Sequence, residues 1–288
     1  MKFALISHAT IPSFKVIKNK LFKLNGEKFK HPDAIKNEFL IGMWNYVLSM
    51  GDGSYYLNIG DYEKWPDEKF DIIMLANEKK IKFTPEFIKQ RYPGCKVYAG
   101  VKEVFGNGDV KKICFKQADK IILQYNNKPT IDFFKTFTDK KFEWIPQPVD
   151  INYLKNNFDV QEKKIKIFSY KHPSVVKNMT KHPSNFVENR YLTFLNSWRE
   201  CLFHINLDPT LHYGLQATQC AVLSTLNIGG FNDANFNLFP NTVGDDLEKL
   251  EQKFKKYLDN HDLIIQDLEY AWRQVNKLYS FEVIKKKM

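Results

Sequence analysis

The stretch Trp-Ile-Pro-Gln-Pro-Val-Asp, residues 144–150, divides this sequence of 288 residues into two parts. Its two prolines lack a backbone N–H donor and fix φ at about −65°, so neither a helix nor a central strand continues through it. On each side, short apolar runs alternate with segments whose apolar residues recur at helical spacing. This alternation indicates a parallel sheet covered by helices on both faces. The sequence therefore predicts two α/β domains, residues 1–150 and residues 151–288.

The predicted elements follow from these apolar patterns. In the first part, strands are predicted over residues 2–8, 55–59, 72–76, 96–99, 120–124 and 142–145, and helices over 33–50, 85–91, 109–118 and 130–138. In the second part, strands are predicted over 165–170, 201–207 and 221–224, and helices over 186–198, 215–220 and, as one long amphipathic segment, 245–287. Ligands of such sheets bind at the carboxyl ends of the strands, so the loops after the strands are the first candidates for function.

Composition narrows the class of protein and the kind of partner. Hydrophobic residues make up 43% of the chain, which excludes a disordered protein. Because no apolar run approaches the roughly 20 residues of a membrane span, we expect a cytoplasmic protein. The net charge of +10 favours an anionic partner. Only four of the 43 basic residues are arginine, so base-specific reading of DNA is not expected.

The four cysteines, Cys95, Cys114, Cys201 and Cys220, contain no Cys-x-x-Cys pair. Neither a zinc ribbon nor a disulfide framework has this spacing, so the sequence predicts four buried thiols.

A basic loop follows the first predicted strand of the second part. Lys171-His-Pro-Ser174 comes directly after that strand, and Lys177 and Asn178 lie close behind it. Such cations and donors suit a phosphate or diphosphate, because each contact to an anionic oxygen is charge-assisted. A solvated basic loop is the alternative, although the recurrence of Lys-His-Pro-Ser at 181–184 favours a functional site.

A second candidate loop, residues 208–216, lies between a predicted strand and a predicted helix. Gly214 would allow the backbone to approach a ligand, and the following helix N-terminus would offer free amides to a phosphate. Another loop, residues 227–233, also follows a strand, but its paired glycines are equally consistent with a simple turn.

Taken together, the chain resembles the GT-B class of glycosyltransferases, especially the family 4 type and its compact bacterial and phage relatives. Residues 144–150 resemble the Ile-Pro-Asn-Gly-Val-Asp link between the two halves of that family. Residues 208–224, followed by Gly229-Gly230, resemble its donor-site stretch, and Tyr279-Ser-Phe-Glu-Val283 resembles its closing helix. The resemblance implies two Rossmann-like domains facing across a cleft. It assigns acceptor binding to residues 1–150 and nucleotide-sugar binding to residues 151–288, with the final helix crossing back to the first domain.

The resemblance also implies roles for particular residues. Where the family has a Glu that accepts hydrogen bonds from the donor ribose, this sequence has Gln216, which brings no charge. Lys171 and Lys177 are the nearest equivalents of the basic pair beside the diphosphate, and Arg190 is a more distant one. The expected donor-binding residues are Lys171, Lys177, Asn178, Arg190, Tyr213, Gly214, Leu215 and Gln216. No metal and no cofactor other than the nucleotide-sugar substrate are expected, and Asp245-Asp246 is interpreted as a helix cap.

In the first domain, His8 and Glu103 are the candidate catalytic residues, since His8 lies at the end of the first predicted strand and Glu103 follows the strand predicted over 96–99. A structural histidine and an exposed loop carboxylate are the alternatives. Residues 14–36 interleave lysines with phenylalanines, a pattern typical either of a polyanion-binding platform or, as favoured here, of a lysine-rich surface loop.

The resulting hypothesis is a metal-independent glycosyltransferase of the hexosyltransferase type. It would move a sugar from a nucleotide diphosphate to a hydroxyl of an anionic acceptor, namely a surface glycan, a lipid-linked phosphate or DNA, with peripheral membrane contact as a further expectation. The alternatives are a DNA-modifying glycosyltransferase acting on hydroxymethylated bases and a noncatalytic polyanion-binding protein on the same scaffold.

Overall fold

A computed structural model describes residues 1–8, 12–18, 20–24, 43–76, 80–101, 107–158, 163–169, 173–181, 186–187, 194–207, 214–230 and 232–288. The chain forms two compact units. Unit 1 comprises Met1–Pro148 and Ile284–Met288, and unit 2 comprises Val149–Val283. The change from one unit to the other falls inside the proline-containing stretch 144–150.

Unit 1 is built on an eight-stranded sheet. Its strands are β1 (Phe3–Ser7), β2 (Phe14–Ile17), β3 (Lys20–Lys23), β4 (Tyr55–Asn58), β5 (Ile72–Ala76), β6 (Lys96–Val101), β7 (Lys120–Leu123) and β8 (Phe142–Trp144). They lie in the order β3-β2-β4-β1-β5-β6-β7-β8. Every neighbouring pair from β4 to β8 is parallel, as the strand and helix alternation predicts.

The hairpin formed by β2 and β3 is a feature that the sequence analysis missed. The two strands are antiparallel to each other, and β2 pairs with β4, which leaves β3 at one edge of the sheet. Phe14 is fully buried, and its ring stacks on Tyr56 with the centroids 5.1 Å apart. The described part of residues 14–36 is therefore a strand pair and not a surface loop, and Phe14 belongs to the core. Residues 25–36 lie outside the described part of the chain.

Four helices of unit 1 are described: α1 (Trp44–Met50), α2 (Pro85–Arg91), α3 (Gly108–Gln117) and α4 (Lys128–Lys135). Thr84 Oγ1 accepts a hydrogen bond from the backbone N–H of Phe87 at 3.2 Å, which confirms the predicted start of α2. The helix predicted over 33–50 is described only in part. Residues 33–42 lie outside the described residues, and α1 covers Trp44–Met50.

Unit 2 is built on a four-stranded parallel sheet in the order β10-β9-β11-β12. The strands are β9 (Lys164–Phe168), β10 (Phe186–Val187), β11 (Cys201–Asn206) and β12 (Leu226–Gly229). The helices are α5 (Ile151–Asn157), α6 (Pro173–Thr180), α7 (Phe194–Glu200), α8 (Leu215–Val222), α9 (Asp233–Leu238), α10 (Leu247–Leu258) and α11 (His261–Tyr279). A final helix, α12 (Phe281–Lys287), begins in unit 2 and ends in unit 1.

Three element predictions for unit 2 are wrong. The strand predicted over 221–224 is the end of α8 and the turn after it, because this helix buries every residue from Ala217 to Val222 and so has no polar face. The helix predicted over 186–198 contains the short strand β10, and α7 begins only at Phe194. The single terminal helix predicted over 245–287 is three helices, because Asn260 caps a new helix and Ser280 ends it.

One buried cluster of the unit 1 core lies between its sheet and α1. Leu5 and Met74 of the sheet belong to one buried cluster with Tyr46 of α1, whose hydroxyl donates to the carbonyl of Ile145 at 2.7 Å. Ile284 of α12 is a fully buried member of the same cluster. The last turns of the chain therefore complete the core that the first strand begins.

The sequence predictions for the cysteines and for Asp245-Asp246 are confirmed. All four thiols are buried and free. Asp246 accepts from the backbone N–H of Lys249 at 2.7 Å and so caps α10.

Candidate functional site

The described strand ends of unit 2 lie at one edge of its sheet. Strands β9, β11 and β12 are parallel and adjacent, so their carboxyl ends lie side by side. The segments that follow them lead into α6, α8 and α9 respectively. In open α/β sheets this edge is where ligands bind.

Gly214 stands at the N-cap of α8 in a left-handed conformation, with φ of 78° and ψ of 32°. A Cβ added to it would lie 2.4 Å from the Cβ of Ala234 and 2.4 Å from Oδ1 of Asn232. Both the dihedral angles and the close approach to α9 therefore require glycine. Because glycine has no side chain, it does not cap α8, and the first-turn amides of this helix have no intrahelical acceptor. The helix thus presents donors and a partial positive charge at the sheet edge.

Gln216, in the first turn of α8, is fixed by the end of β11. Asn206 Nδ2 donates to Gln216 Oε1 at 3.0 Å. The backbone N–H of Gly230 donates to the carbonyl of Asn206 at 3.3 Å. A Cβ on Gly229 would lie 2.7 Å from that same carbonyl oxygen, so the glycine pair allows two strand ends to approach closely. The turn interpretation of residues 227–233 is therefore incomplete, since Gly229 is the last residue of β12.

Behind this edge runs a buried chain of carboxamides that the sequence analysis did not single out. Asn227 donates through Nδ2 to Asn235 Oδ1, and Asn235 Nδ2 donates to the carbonyl of Gly230 at 2.8 Å. Asn232 Oδ1 accepts from the backbone N–H of Asn235 at 2.8 Å and caps α9. The clustered asparagines of residues 227–235 were the available signal, although sequence spacing alone does not show that their side chains bond in series.

His204 closes the chain of carboxamides inside the sheet. It is completely buried, and its Nδ1 lies 2.7 Å from Asn227 Oδ1. Because Asn227 uses its amide nitrogen as a donor to Asn235, its oxygen is the acceptor and His204 carries its proton on Nδ1. Burial lowers the pKa of His204 to about 4, against a smaller opposing contribution from the bond to Asn227. The imidazole is therefore neutral at pH 7.

The other predicted donor-binding residues are only partly described. Lys177 is half-buried and Asn178 exposed, and both lie on α6, which follows β9. Leu215 is buried at the start of α8. Lys171, Arg190 and Tyr213 lie outside the described residues. Because β9 and β11 are neighbours in the sheet, α6 and α8 each follow one of two adjacent strand ends.

In unit 1, His8 directly follows β1 and is half-buried. Glu103 lies outside the described residues. The same edge contains a residue that the sequence analysis missed, Gln124, which follows β7 and is 1% exposed. Among the described residues, neither its Oε1 nor its Nε2 has a hydrogen-bond partner, so the fold carries the cost of desolvating both groups.

Replacing this amide by an apolar side chain of similar length is expected to stabilise unit 1. We expect Gln124→Met to raise the free energy of unfolding by about 1–2 kcal/mol, because no hydrogen bond is lost and two desolvated polar groups are removed. Urea titration measures the change. Gln117→Met is the matched control, since Gln117 Nε2 donates to Glu86 on the surface at 3.0 Å and its loss brings no gain. A greater loss of stability in Gln124→Met than in Gln117→Met would contradict the prediction.

The described residues contain neither a cluster of side chains suited to a metal ion nor a helix suited to cross a membrane. No group of three or more His, Cys, Asp or Glu side chains in this part of the chain is placed to hold a metal ion. Among the described helices, none combines the length and apolar character needed to cross a bilayer.

The amino-acid sequence of this chain matches no protein-family model. It also matches no curated protein. Solved structures do match, among them a sucrose-phosphate synthase from Thermosynechococcus elongatus, with a TM-score of 0.60 and 8% identity over 100% of this chain and 97% of that one. HepE from Anabaena, in complex with UDP, gives a TM-score of 0.63 at 7% identity, covering 100% of this chain and 98% of that one. T4 phage BGT, in complex with UDP and Mn²⁺, gives 0.51 at 12% identity, covering 100% and 97%.

These similar structures are GT-B glycosyltransferases. The chain has the GT-B fold. The predicted fold class is confirmed, and each unit has the Rossmann-like arrangement of a GT-B domain, a mostly parallel sheet with helices against it. Because the identities are this low, the likeness shows the fold, and function has to be argued from the site.

Proposed function

We propose that this GT-B protein is a glycosyltransferase of the hexosyltransferase type. It binds a nucleotide diphosphate sugar at the carboxyl edge of the unit 2 sheet and transfers the sugar to a hydroxyl of an acceptor bound by unit 1. The observation that carries the proposal is the start of α8, where a left-handed Gly214 removes the cap and brings the backbone against α9. In support, the similar structures of HepE and T4 phage BGT each hold UDP.

The chemistry that this edge provides is stabilisation of a leaving diphosphate. As the glycosidic bond breaks, negative charge grows on the phosphate oxygens, and preorganised donors that meet that charge lower the barrier. The first-turn amides of α8 are such donors, and Lys177 and Lys171 supply the cations of the proposed site. His8 and Glu103 are proposed on the acceptor side, as an orienting group or base for the attacking hydroxyl. The proposal includes no requirement for a metal ion, so activity assays are run with EDTA and again with Mn²⁺.

The distribution of charge supports an anionic acceptor. Unit 1 has 28 Lys and Arg residues against 17 Asp and Glu, a net charge of +11. Unit 2 has 15 against 16, a net charge of −1. The whole positive charge of the protein therefore belongs to the unit that we propose binds the acceptor, where it raises the rate of encounter with a polyanion. Transfer to an anionic glycan, compared with transfer to duplex DNA bearing hydroxymethylated bases, decides between the two acceptor classes.

The proposal is tested first by nucleotide binding. At 100 times its dissociation constant, a specific ligand stabilises a protein by about 2.7 kcal/mol, or roughly 5–10 °C in melting temperature for a unit of this size. We expect UDP to give such a shift in a panel with GDP, ADP and CDP, and Lys177→Ala to reduce it.

Lys277→Ala is the matched control, because Lys277 is an exposed lysine of unit 2 on α11. It removes the same charge from the unit and should leave the shift unchanged. Absence of a shift with every nucleotide would favour the noncatalytic polyanion-binding alternative and defeat the proposal.

A further inference from the structure

The amide of Gln216 has a defined orientation. Its oxygen accepts from Asn206 Nδ2 at 3.0 Å, and the two residues are held by different elements, Asn206 at the end of β11 and Gln216 in the first turn of α8. A carboxamide has one oxygen and one NH₂ group with two N–H donors. With the oxygen directed to Asn206, the group that remains for a ligand is the NH₂.

The backbone groups beside this NH₂ are also hydrogen-bond donors. Gln216 lies two residues after Gly214, so its NH₂ belongs to the helix turn whose backbone amides lack intrahelical acceptors. Two oxygens in the described part of this edge are already engaged, because Asn232 Oδ1 accepts from Asn235 and the carbonyl of Asn206 accepts from Gly230. The start of α8 therefore offers hydrogen-bond donors to a ligand, and a ligand group rich in acceptors fits it best.

We infer that Gln216 is a specificity-determining residue that donates from Nε2 to a diphosphate oxygen of the sugar donor, and that Asn206 is the positioning residue that holds the amide in this orientation. The inference rests on the proposed function. In it, Gln216 donates a hydrogen bond to a negatively charged phosphate oxygen of the sugar donor. It differs from the role expected from the family resemblance, in which a glutamate at this place accepts from ribose hydroxyls. A carboxylate here would face the diphosphate with like charge.

Gln216→Glu tests the assignment with little change of shape. The carboxylate still accepts from Asn206 Nδ2, so the contact between β11 and α8 is kept, while the outward group changes from two donors to an anionic acceptor. We expect the dissociation constant for UDP, measured by calorimetry, to rise at least tenfold. The constant for uridine, measured by competition against UDP, should change less than threefold because uridine has no phosphate.

Asn206→Asp is the reciprocal variant. An aspartate at this position accepts only, so it draws the NH₂ of Gln216 inward and turns the oxygen outward, and UDP binding should again weaken at least tenfold. Melting temperatures of both variants without ligand show whether unit 2 remains folded. A variant that melts early is compared with wild type at a temperature where both are folded.

The outcomes separate this inference from the proposed function. If the wild-type protein binds UDP and Gln216→Glu binds it equally well or more tightly, Gln216 faces hydroxyl groups and the inference is overturned while the proposed function stands. An equal loss of UDP and uridine binding in Gln216→Glu also overturns it, because the contact would then be to the nucleoside. If the wild-type protein binds none of UDP, GDP, ADP and CDP, the proposed function fails, and this inference fails with it.

Discussion

Gly214→Ala is expected to abolish the UDP-dependent thermal shift and to lower the free energy of unfolding of unit 2 by about 2–5 kcal/mol, the sum of a conformational cost and a packing cost. A non-glycine residue in the left-handed region costs about 1–2 kcal/mol. The added methyl group would also lie 2.4 Å from both Ala234 and Asn232, so α8 and α9 must separate, at a cost of about 1–3 kcal/mol for overpacking. Separation of these helices moves the first-turn amides of α8 away from the position in which they meet a phosphate.

Gly94→Ala separates the conformational cost from the packing cost, because it carries only the first. Gly94 has φ of 85°, close to that of Gly214, but a Cβ there meets nothing within 4 Å. It should therefore show the conformational cost alone, about 1–2 kcal/mol, with the UDP shift retained. Urea titration and thermal shift give the two quantities. Equal losses of stability in the two variants, together with normal UDP binding by Gly214→Ala, would show that the close approach of α8 to α9 has no role in the site.

Acid is expected to destabilise unit 2 through His204, by about 3 kcal/mol between pH 7 and pH 4. In the unfolded chain this imidazole takes up a proton near its ordinary pKa of 6.5, whereas in the folded unit burial lowers the pKa to about 4. Between these values the unfolded state binds more protons than the folded state, so stability falls as the pH is lowered. The two pKa values differ by about 2.5, which corresponds to about 3.4 kcal/mol in all, and about 3 kcal/mol of this falls between pH 7 and pH 4.

His204→Gln provides the comparison, since glutamine does not titrate and retains an amide donor. Urea titrations across this pH range, followed by hydrogen exchange of amides in β11 and β12, report on unit 2. The wild type should lose about 3 kcal/mol more than His204→Gln on acidification. His261→Gln removes an exposed histidine of the same unit and should follow the wild type. Parallel pH profiles for wild type and His204→Gln would contradict a buried, neutral imidazole.

The sequence was sufficient to predict a structural feature where that feature depends on a residue and its immediate neighbours in the chain. Thr84 and the proline after it fix the start of α2, and the place of Gly214 between a strand and a helix marks the start of α8. Apolar pattern also locates most parallel strands, because these are buried on both faces.

The features that the sequence did not predict depend on burial and on contacts between separate elements of the fold. Ala221 and Val222 belong to a helix buried on all sides, and such a helix has the same continuous apolar pattern as a strand. The hairpin of β2 and β3 carries lysines along its length, so its pairing with β4 is not visible in composition. The bond between Asn206 and Gln216, ten residues apart, depends on the loop geometry that brings a strand end to a helix start.

The burial of Ile284 in unit 1 sets the order in which the two units can mature on the ribosome. Synthesis delivers residues 1–148 first, yet the core of unit 1 lacks this side chain until all of Val149–Val283 has been made. Unit 2 is a continuous segment and can complete its own core as soon as it emerges. The half of the protein that is translated first is thus the half whose core is completed last.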